Sequence, residues 1–490
     1  MAFFPLELPP GVYRNGTQYQ SKGHFFDANL IRWIDRAIKP IGGWRKRSTD
    51  AVAGAARAII AWRDNNALTW LGIGTHSKLF ASNRAGDIFD ITPTGLATGR
   101  ADASTGGGYG SGAYGVGSYG TPRADSTLIQ DATVWSLDTW GQDLIGVSDS
   151  DGVIYEWALN TSTPAAAVSG APTCDALFVT GERIVMALGA AGDPRLIKWC
   201  DQEDNTDWTP TATNQAGSFP LQTGGKLMCG KLISSGALIF TDVDVWLASY
   251  TADQLVYSFN KLGSGCGAVS RQCVAALDSQ AVWMGKDAFW LHNGYVQPLP
   301  CDVADYVFSD FNRQQVSKTY AVRNSGFNEV EWHYCSSSST EIDRCVVWNY
   351  RENYWNIGRP SRTCGTDKGV FTYPIMLDRD GNIYEHEVGL NYDGALPYAE
   401  GGPIEIGNGD NVMYANMLVP DERTAGQVTA TFKARIMPNL PEATFGPYLL
   451  SSPTPVRVNG RQLSVRYDAV AAADWRVGSP RLDVLQGGRR

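Results

Sequence analysis

The sequence predicts an all-β chain built from repeated four-stranded modules, and three observations carry that prediction. The first is a motif that occurs seven times, a tight turn rich in Asp and Gly followed by a short apolar stretch with an aromatic residue. The copies are Gly86-Asp87-Ile88-Phe89, Asp151-Gly152-Val153-Ile154-Tyr155-Glu156-Trp157, Asp193-Pro194-Arg195-Leu196-Ile197-Lys198-Trp199, Asp244-Val245-Trp246, Asp287-Ala288-Phe289-Trp290, Arg344-Cys345-Val346-Val347-Trp348 and Asp380-Gly381-Asn382-Ile383-Tyr384. The second is their spacing, mostly near the roughly 40 to 50 residues at which propeller blades repeat. The third is composition: 53 Gly, 24 Pro, 16 Trp, 21 Tyr and 17 Phe in 490 residues favour turns and strands over long helices. A β-propeller of six or seven blades satisfies all three.

Taken in order, residues 1–50 stand apart from the repeats. They hold a Pro-rich start, the turn segment Gly11 to Gly16, and the run Leu30 to Ile38, whose periodicity fits a helix or a hairpin equally. The first module reads as Ala58 to Trp62, a turn at Asp64-Asn65-Asn66, Leu68 to Ile73, Lys78 to Ser82 and Asp87 to Ile91. Similar units span about 132–159, 174–208, 225–260, 268–300, 318–358 and 366–390. The last is short, and propellers commonly close by taking a strand from the other end of the chain. Val303, Tyr306, Val307 and Phe311 fall at helical spacing, enough for two or three turns.

The propeller therefore spans 51–402, interrupted at 101–125 by a segment in which Gly106 to Gly120 contains eight Gly, with Tyr-Gly at Tyr109, Tyr114 and Tyr119. Such a segment cannot bury a core of its own. It reads as a solvated linker, or as a loop whose tyrosines order against a neighbouring subunit, since Tyr offers much contact area at low entropy cost. Residues 403–490 form a separate β-domain with alternating strands such as Val428 to Ile436 and Val456 to Arg466, ending in Arg489-Arg490.

A net charge of −9 and a pI near 5.2 argue against a protein that grips nucleic acid, which needs concentrated Lys and Arg. Met1 to Pro10 lacks a basic segment and an apolar run, so no signal peptide is expected, and no stretch of about 18 apolar residues suggests a membrane span. Nine scattered Cys without a C-x-x-C pair read as buried thiols of a chain made in a cytoplasm.

The catalytic patterns tested fail on spacing. Thr223-Gly224-Gly225-Lys226-Leu227 resembles part of a phosphate loop, but Pro220 stands where the first Gly belongs and Leu227 where Ser or Thr would hold magnesium. The five histidines, His24, His76, His292, His333 and His386, share no zinc spacing. Asp149-Ser150-Asp151-Gly152 and Asp378-Arg379-Asp380-Gly381 lack the downstream Glu of a calcium loop and read as hairpin turns. No catalytic residue, cofactor site or metal site is expected. A propeller glycosidase with paired carboxylates at its central channel stays open among 50 acidic residues.

Lys261-Leu262-Gly263-Ser264-Gly265-Cys266-Gly267, Val282-Trp283-Met284, Phe289-Trp290-Leu291-His292-Asn293-Gly294, Asp302 to Asn312, Trp348-Asn349-Tyr350 and Trp355 together resemble the tail hub of short-tailed phages, the family of packaged-DNA stabilisation proteins or tail nozzles. Asp27 to Trp33, Pro40 to Trp44 and Asp474-Trp475-Arg476-Val477-Gly478 also look like segments of such virion proteins, so the resemblance covers about three quarters of the chain. It implies a β-propeller on a β-rich platform built from the N- and C-terminal segments, and a hairpin at Leu30 to Ile38. It further implies a homohexameric ring in the virion tail, assembled in the host cytoplasm below the portal and adaptor. Such a ring would meet tail fibre, needle or tip proteins and conduct double-stranded DNA without binding it tightly. An acidic chain suits that sliding role. Candidate platform contacts are Arg45, Lys46, Arg47, Trp475, Arg476, Arg489 and Arg490. The alternatives are a tail-associated propeller depolymerase and a monomeric interaction scaffold.

Overall fold

In the computed structural model, which describes residues 2–105, 129–253, 255–405 and 409–488, seven four-stranded antiparallel sheets follow one another along the chain. Their first strands are Ala56–Arg63, Trp135–Trp140, Ala176–Val179, Leu227–Ile233, Val274–Leu277, Tyr320–Asn324 and Cys364–Thr366. Each first strand neighbours the next, and the last neighbours the first, so the circuit is closed. This is a seven-bladed β-propeller. Among the described residues the one α-helix is Ala304–Ser309, between the fifth and sixth blades, where the apolar spacing predicts it.

Adjacent blades pack face to face through large aromatics set against small residues. A Cβ on Gly74 would stand 2.5 Å from the Trp135 ring of the second blade, and one on Gly230 would stand 2.2 Å from Phe178 of the third. Trp135, Trp157, Trp283, Trp332 and Trp355 are fully buried, each removing roughly 150–250 Å² from water.

The seventh blade has three strands of its own, Cys364–Thr366, Ile375–Leu377 and Ile383–His386. Its outermost position is filled by Trp44–Lys46, in the register Trp44 to His386, Arg45 to Glu385 and Lys46 to Tyr384. The expected borrowed strand is therefore present. Arg45, Lys46 and Arg47 accordingly lie on or beside the strand that closes the propeller, so their assignment to a platform is corrected.

Both ends of the chain share two further sheets. One pairs Ala2–Pro5, Arg481–Gln486, Met413–Val419 and Thr454–Gly460; the other pairs Phe25–Asn29, Tyr398–Gly401, Gln462–Ala469, Val428–Arg435 and Ala443–Leu449. Tyr398–Gly401 already belongs to this platform, which therefore begins earlier in sequence than residue 403. The platform sits at the rim of the fifth and sixth blades rather than over the channel. Val12 N donates to the Trp355 carbonyl (2.7 Å), Asn15 to that of Cys301 (2.8 Å) and Asn356 to that of Ile31 (2.7 Å). One apolar core runs continuously from Trp283, Trp332 and Trp355 to Phe432, Tyr467 and Trp475.

Between platform and closing strand the chain forms the hairpin Ile31–Ile34 and Ala37–Pro40, as the family resemblance implies. Asp35 and Arg36 both have positive φ, 51° and 65°, which the tight two-residue turn demands. Arg32 on this hairpin is buried and reaches two blades at once. It bonds Glu329 of the sixth blade at 3.1 and 2.7 Å, and Glu387 beyond the seventh at 3.0 and 2.7 Å. The Phe327 ring stacks beneath its guanidinium at 3.5 Å.

Candidate functional site: a bridged channel and an apolar platform face

The seven first strands surround a cavity of about 290 Å³. Its end at which those strands begin is bridged. Arg271, just before the fifth blade, donates to the Asp175 carbonyl of the third blade and stands 4.0 Å from the Asp149 carboxylate of the second. Gln272 beside it donates to the Trp135 carbonyl at 2.8 Å. Burial raises the Asp149 pKa while the Arg271 charge opposes the shift.

Deeper in the channel, burial likewise raises the Asp138 pKa. Hydrogen bonds from the Val179 and Thr139 amides, both at 2.8 Å, act against it. Lys231 from the fourth blade also lines the cavity, and its charge acts in the same sense as those amides. Among the described residues Asp138 is the one carboxylate lining the cavity, whereas glycoside hydrolysis ordinarily needs two flanking the scissile bond. The lining thiols Cys229 and Cys364 are pushed up to about 12 chiefly by burial, far from a nucleophilic thiolate at neutral pH.

The turn motifs serve local geometry. Asp378 accepts from the Asp380 and Asn382 amides, both at 2.9 Å, and Asp151 accepts from Val153 N (3.1 Å) and the Tyr155 hydroxyl (2.7 Å). Thr223 donates to Asp244 at 2.7 Å while Lys226 N donates to Asp242 at 2.8 Å, which makes that stretch a turn leading into the fourth blade.

The Gly/Tyr-rich insertion leaves the propeller at the bridged end of the channel. Its tyrosines, Tyr109, Tyr114 and Tyr119, lie outside the described residues, but its base is firmly held. Ser104–Thr105 pairs with Ile129–Gln130, and the Gln315 side chain both donates to and accepts from the Ala103 backbone at 3.0 and 2.9 Å. Buried Arg57 bonds Glu341 at 2.8 and 2.7 Å and the Ala101 carbonyl at 3.0 Å, and buried Lys318 pairs with Asp102. Sequence patterning could not single out this clasp, because its members are isolated polar residues far apart in the chain.

Burial alone would raise the Glu341 pKa, but Arg57 and then Lys318 outweigh it and hold the carboxyl below its ordinary 4.5. A depressed folded-state pKa gives stability that is present above the unfolded value and lost as pH falls through the folded one. Amide hydrogen exchange at Ala103 is therefore expected to accelerate as pH is lowered below about 4.5, relative to amides in the blade interiors, and Glu341→Gln should remove that extra acid sensitivity.

The second surface is the platform. Among the described residues, ten of the seventeen exposed large apolar side chains lie in its segments, namely Phe3, Phe4, Tyr19, Tyr414, Ile436, Met437, Leu440, Leu449, Val470 and Leu485. Tyr414 and Leu485 oppose each other across paired strands and are 43% and 47% exposed. Phe3 opposes Asp483 on the same sheet and is 48% exposed. Ala443–Leu449 ends the other sheet as an edge, paired on one side only among the described residues. Such exposure is what an association surface shows.

Of the sequence-predicted contacts, Trp475 is fully buried, so it is a core residue of the platform rather than an outward contact. Arg476 is half-buried, its carbonyl accepting from Arg423 N at 3.0 Å. Arg489 and Arg490 lie outside the described residues.

No protein-family model and no curated protein matches the chain. Among solved structures it is similar to virginiamycin B lyase from Staphylococcus aureus, with TM-score 0.42 and 8% identity over 70% of this chain and 97% of that one. BamB from Moraxella catarrhalis follows at TM-score 0.39 and 8% identity, over 79% and 98%. The Pan2 WD40 domain of Neurospora crassa gives TM-score 0.38 and 10% identity, over 70% and 94%. The closed circuit of seven four-stranded sheets makes the chain a β-propeller protein with an accessory β-platform.

Proposed function

We propose that this chain is a structural component of a short-tailed phage tail, a hub whose copies form a ring below the portal and adaptor and conduct DNA. The reading rests on the family resemblance, and the observation that carries it is the concentration of exposed apolar side chains on the platform. The partner proposed for that face is a second copy of the same chain.

The propeller's own cavity of about 290 Å³ is bridged by Arg271 and Gln272, and a duplex whose major groove alone is about 12 Å wide does not fit there. A conduit would therefore run between copies, not through one. The chain is further proposed to have no catalytic activity, a reading supported by the single carboxylate and unactivated thiols of the cavity. Turnover of a host polysaccharide that a single Asp or Glu substitution abolishes would overturn it.

The deciding experiment is light scattering of the full chain, alone and with its adaptor. A ring mass is expected; a monomer under both conditions would overturn the ring. A smaller test concerns the insertion, whose tyrosines are expected to dock on a neighbouring subunit or tail protein. Changing Tyr109, Tyr114 and Tyr119 to Ser should weaken assembly by about 0.5–1.5 kcal/mol per lost aromatic pairing. Normal assembly and DNA retention in that variant would leave the segment a linker.

A further inference from the structure

A groove between the seventh and first blades gathers four arginines around one carboxylate. Arg45 and Arg47 come from the closing strand and the residue after it, Arg63 ends the first strand of blade one, and Arg84 sits in the turn after its third strand. Glu385 lies 2.6 Å from Arg45 and 3.4 Å from Arg47. Four cations and one carboxylate leave the groove at +3, within a chain of net −9. Among the described residues neither Arg63 nor Arg84 has an ion-pair partner.

The space enclosed is about 350 Å³, lined also by Thr69 and by residues 369–373, including Phe371 and Tyr373. Two polar atoms of lining residues are buried without a hydrogen-bond partner, the Thr69 hydroxyl and the Arg47 Nε. Thr69 is 6% exposed and stands opposite Arg63 in the strand pairing. Arg47 cannot swing away to find a partner. It donates to the carbonyls of Asn83 (2.9 Å) and Arg84 (2.7 Å), and the Phe371 ring lies 4.5 Å from its guanidinium. Burial, with a smaller contribution from the neighbouring Arg84 charge, lowers the Arg47 pKa against the pull of Glu385.

Guanidinium forks match the oxygens of a phosphate in pairs, and a dianion offsets most of the +3. A lone carboxylate would offset only a third of it. The volume exceeds that of one phosphate and lies within the range of small-molecule sites, with Tyr373 available to the remainder of the ligand. We propose that this groove binds the phosphate group of a small phosphorylated compound.

The test is calorimetric titration of the full chain with inorganic phosphate and, separately, with glycerol phosphate, at constant ionic strength held with chloride. Saturable binding of one equivalent of either is expected. It should weaken about tenfold or more in Arg63→Gln/Arg84→Gln. Both arginines are exposed, so the double variant should keep the parent's circular dichroism and thermal midpoint, which separates lost binding from lost fold. Saturable binding of glycerol phosphate but not inorganic phosphate supports the phosphorylated-compound source. Binding of neither, binding unchanged in the double variant, or binding of a polyglutamate peptide in place of both would overturn the proposal.

Discussion

Changing Tyr414 and Leu485 together to Ser in the full chain is expected to weaken the proposed self-association by a factor of about 10 to 10² while leaving the protomer folded. The two side chains oppose each other on the solvent face of a platform sheet and contribute little to the protomer's own core. Surface substitutions of this kind usually change protomer stability by about 0.5 kcal/mol or less. Each is already about half-buried, so covering the rest in an interface would contribute about 0.7–1.5 kcal/mol, and the pair weakens every contact by about 1.5–3 kcal/mol, a factor of about 10 to 10². Because each subunit in a ring meets two neighbours, the loss is repeated around it. Sedimentation or light scattering reads the mass, and near-ultraviolet circular dichroism checks the fold. A full-sized ring from the double variant would move the interface elsewhere. Deleting 403–490 should stop assembly, but the continuous core from Trp283 to Trp475 means that this truncation strips apolar cover from the fifth and sixth blades as well.

The largest effect on stability is expected at Arg32. Arg32→Met leaves the buried Glu329 and the half-buried Glu387 beside each other with their shared counter-charge gone. Removing one partner of a buried ion pair costs about 3–5 kcal/mol, because the remaining charge keeps its desolvation penalty. Burial already pushes the Glu329 carboxyl up to about 7 even with the guanidinium in place, so the variant can escape part of this penalty by taking up a proton there, and its loss of stability should grow as pH rises above neutral. The midpoint of urea unfolding should fall. Adding Glu329→Gln to Arg32→Met should recover part of the loss, since a neutral amide replaces the stranded carboxylate. If Arg32→Met unfolds at the parent's midpoint, the clamp contributes nothing.

Period, composition and turn chemistry made the propeller legible because each blade repeats the same local problem. Asp and Gly close hairpins, and alternating apolar residues fill the space between sheets. Even the closing strand could be anticipated from the shortness of the seventh unit. The blade number needed the structure, since the degenerate motifs permit six or seven. Trp44–Lys46 gave no sign of belonging to the seventh blade, because a three-residue strand has no periodicity to read. Trp475 is a core residue and not a contact for a related reason: alternation along a short extended segment turns it inward between Asp474 and Arg476. The channel bridge and the arginine groove were invisible, because proximity between residues 45 and 84, or 175 and 271, is a property of the closed ring alone.

That closure has a consequence for the order of events during synthesis. Residues 2–46 leave the ribosome before the blades they join, yet Trp44 meets His386, Ala2 meets Val484 and Arg32 meets Glu329. Every one of these partners is made hundreds of residues later. The amino-terminal segment therefore waits without its sheets while most of the propeller is translated, carrying strand edges that fit any other copy's unfinished seventh blade equally well. Closing so long a loop slows the final docking step while adding little to its equilibrium cost. Where many copies are made at once, exchange of the Trp44–Lys46 strand between chains competes with closure within one chain, and fast completion of each chain or dilute synthesis favours the monomeric ring of blades.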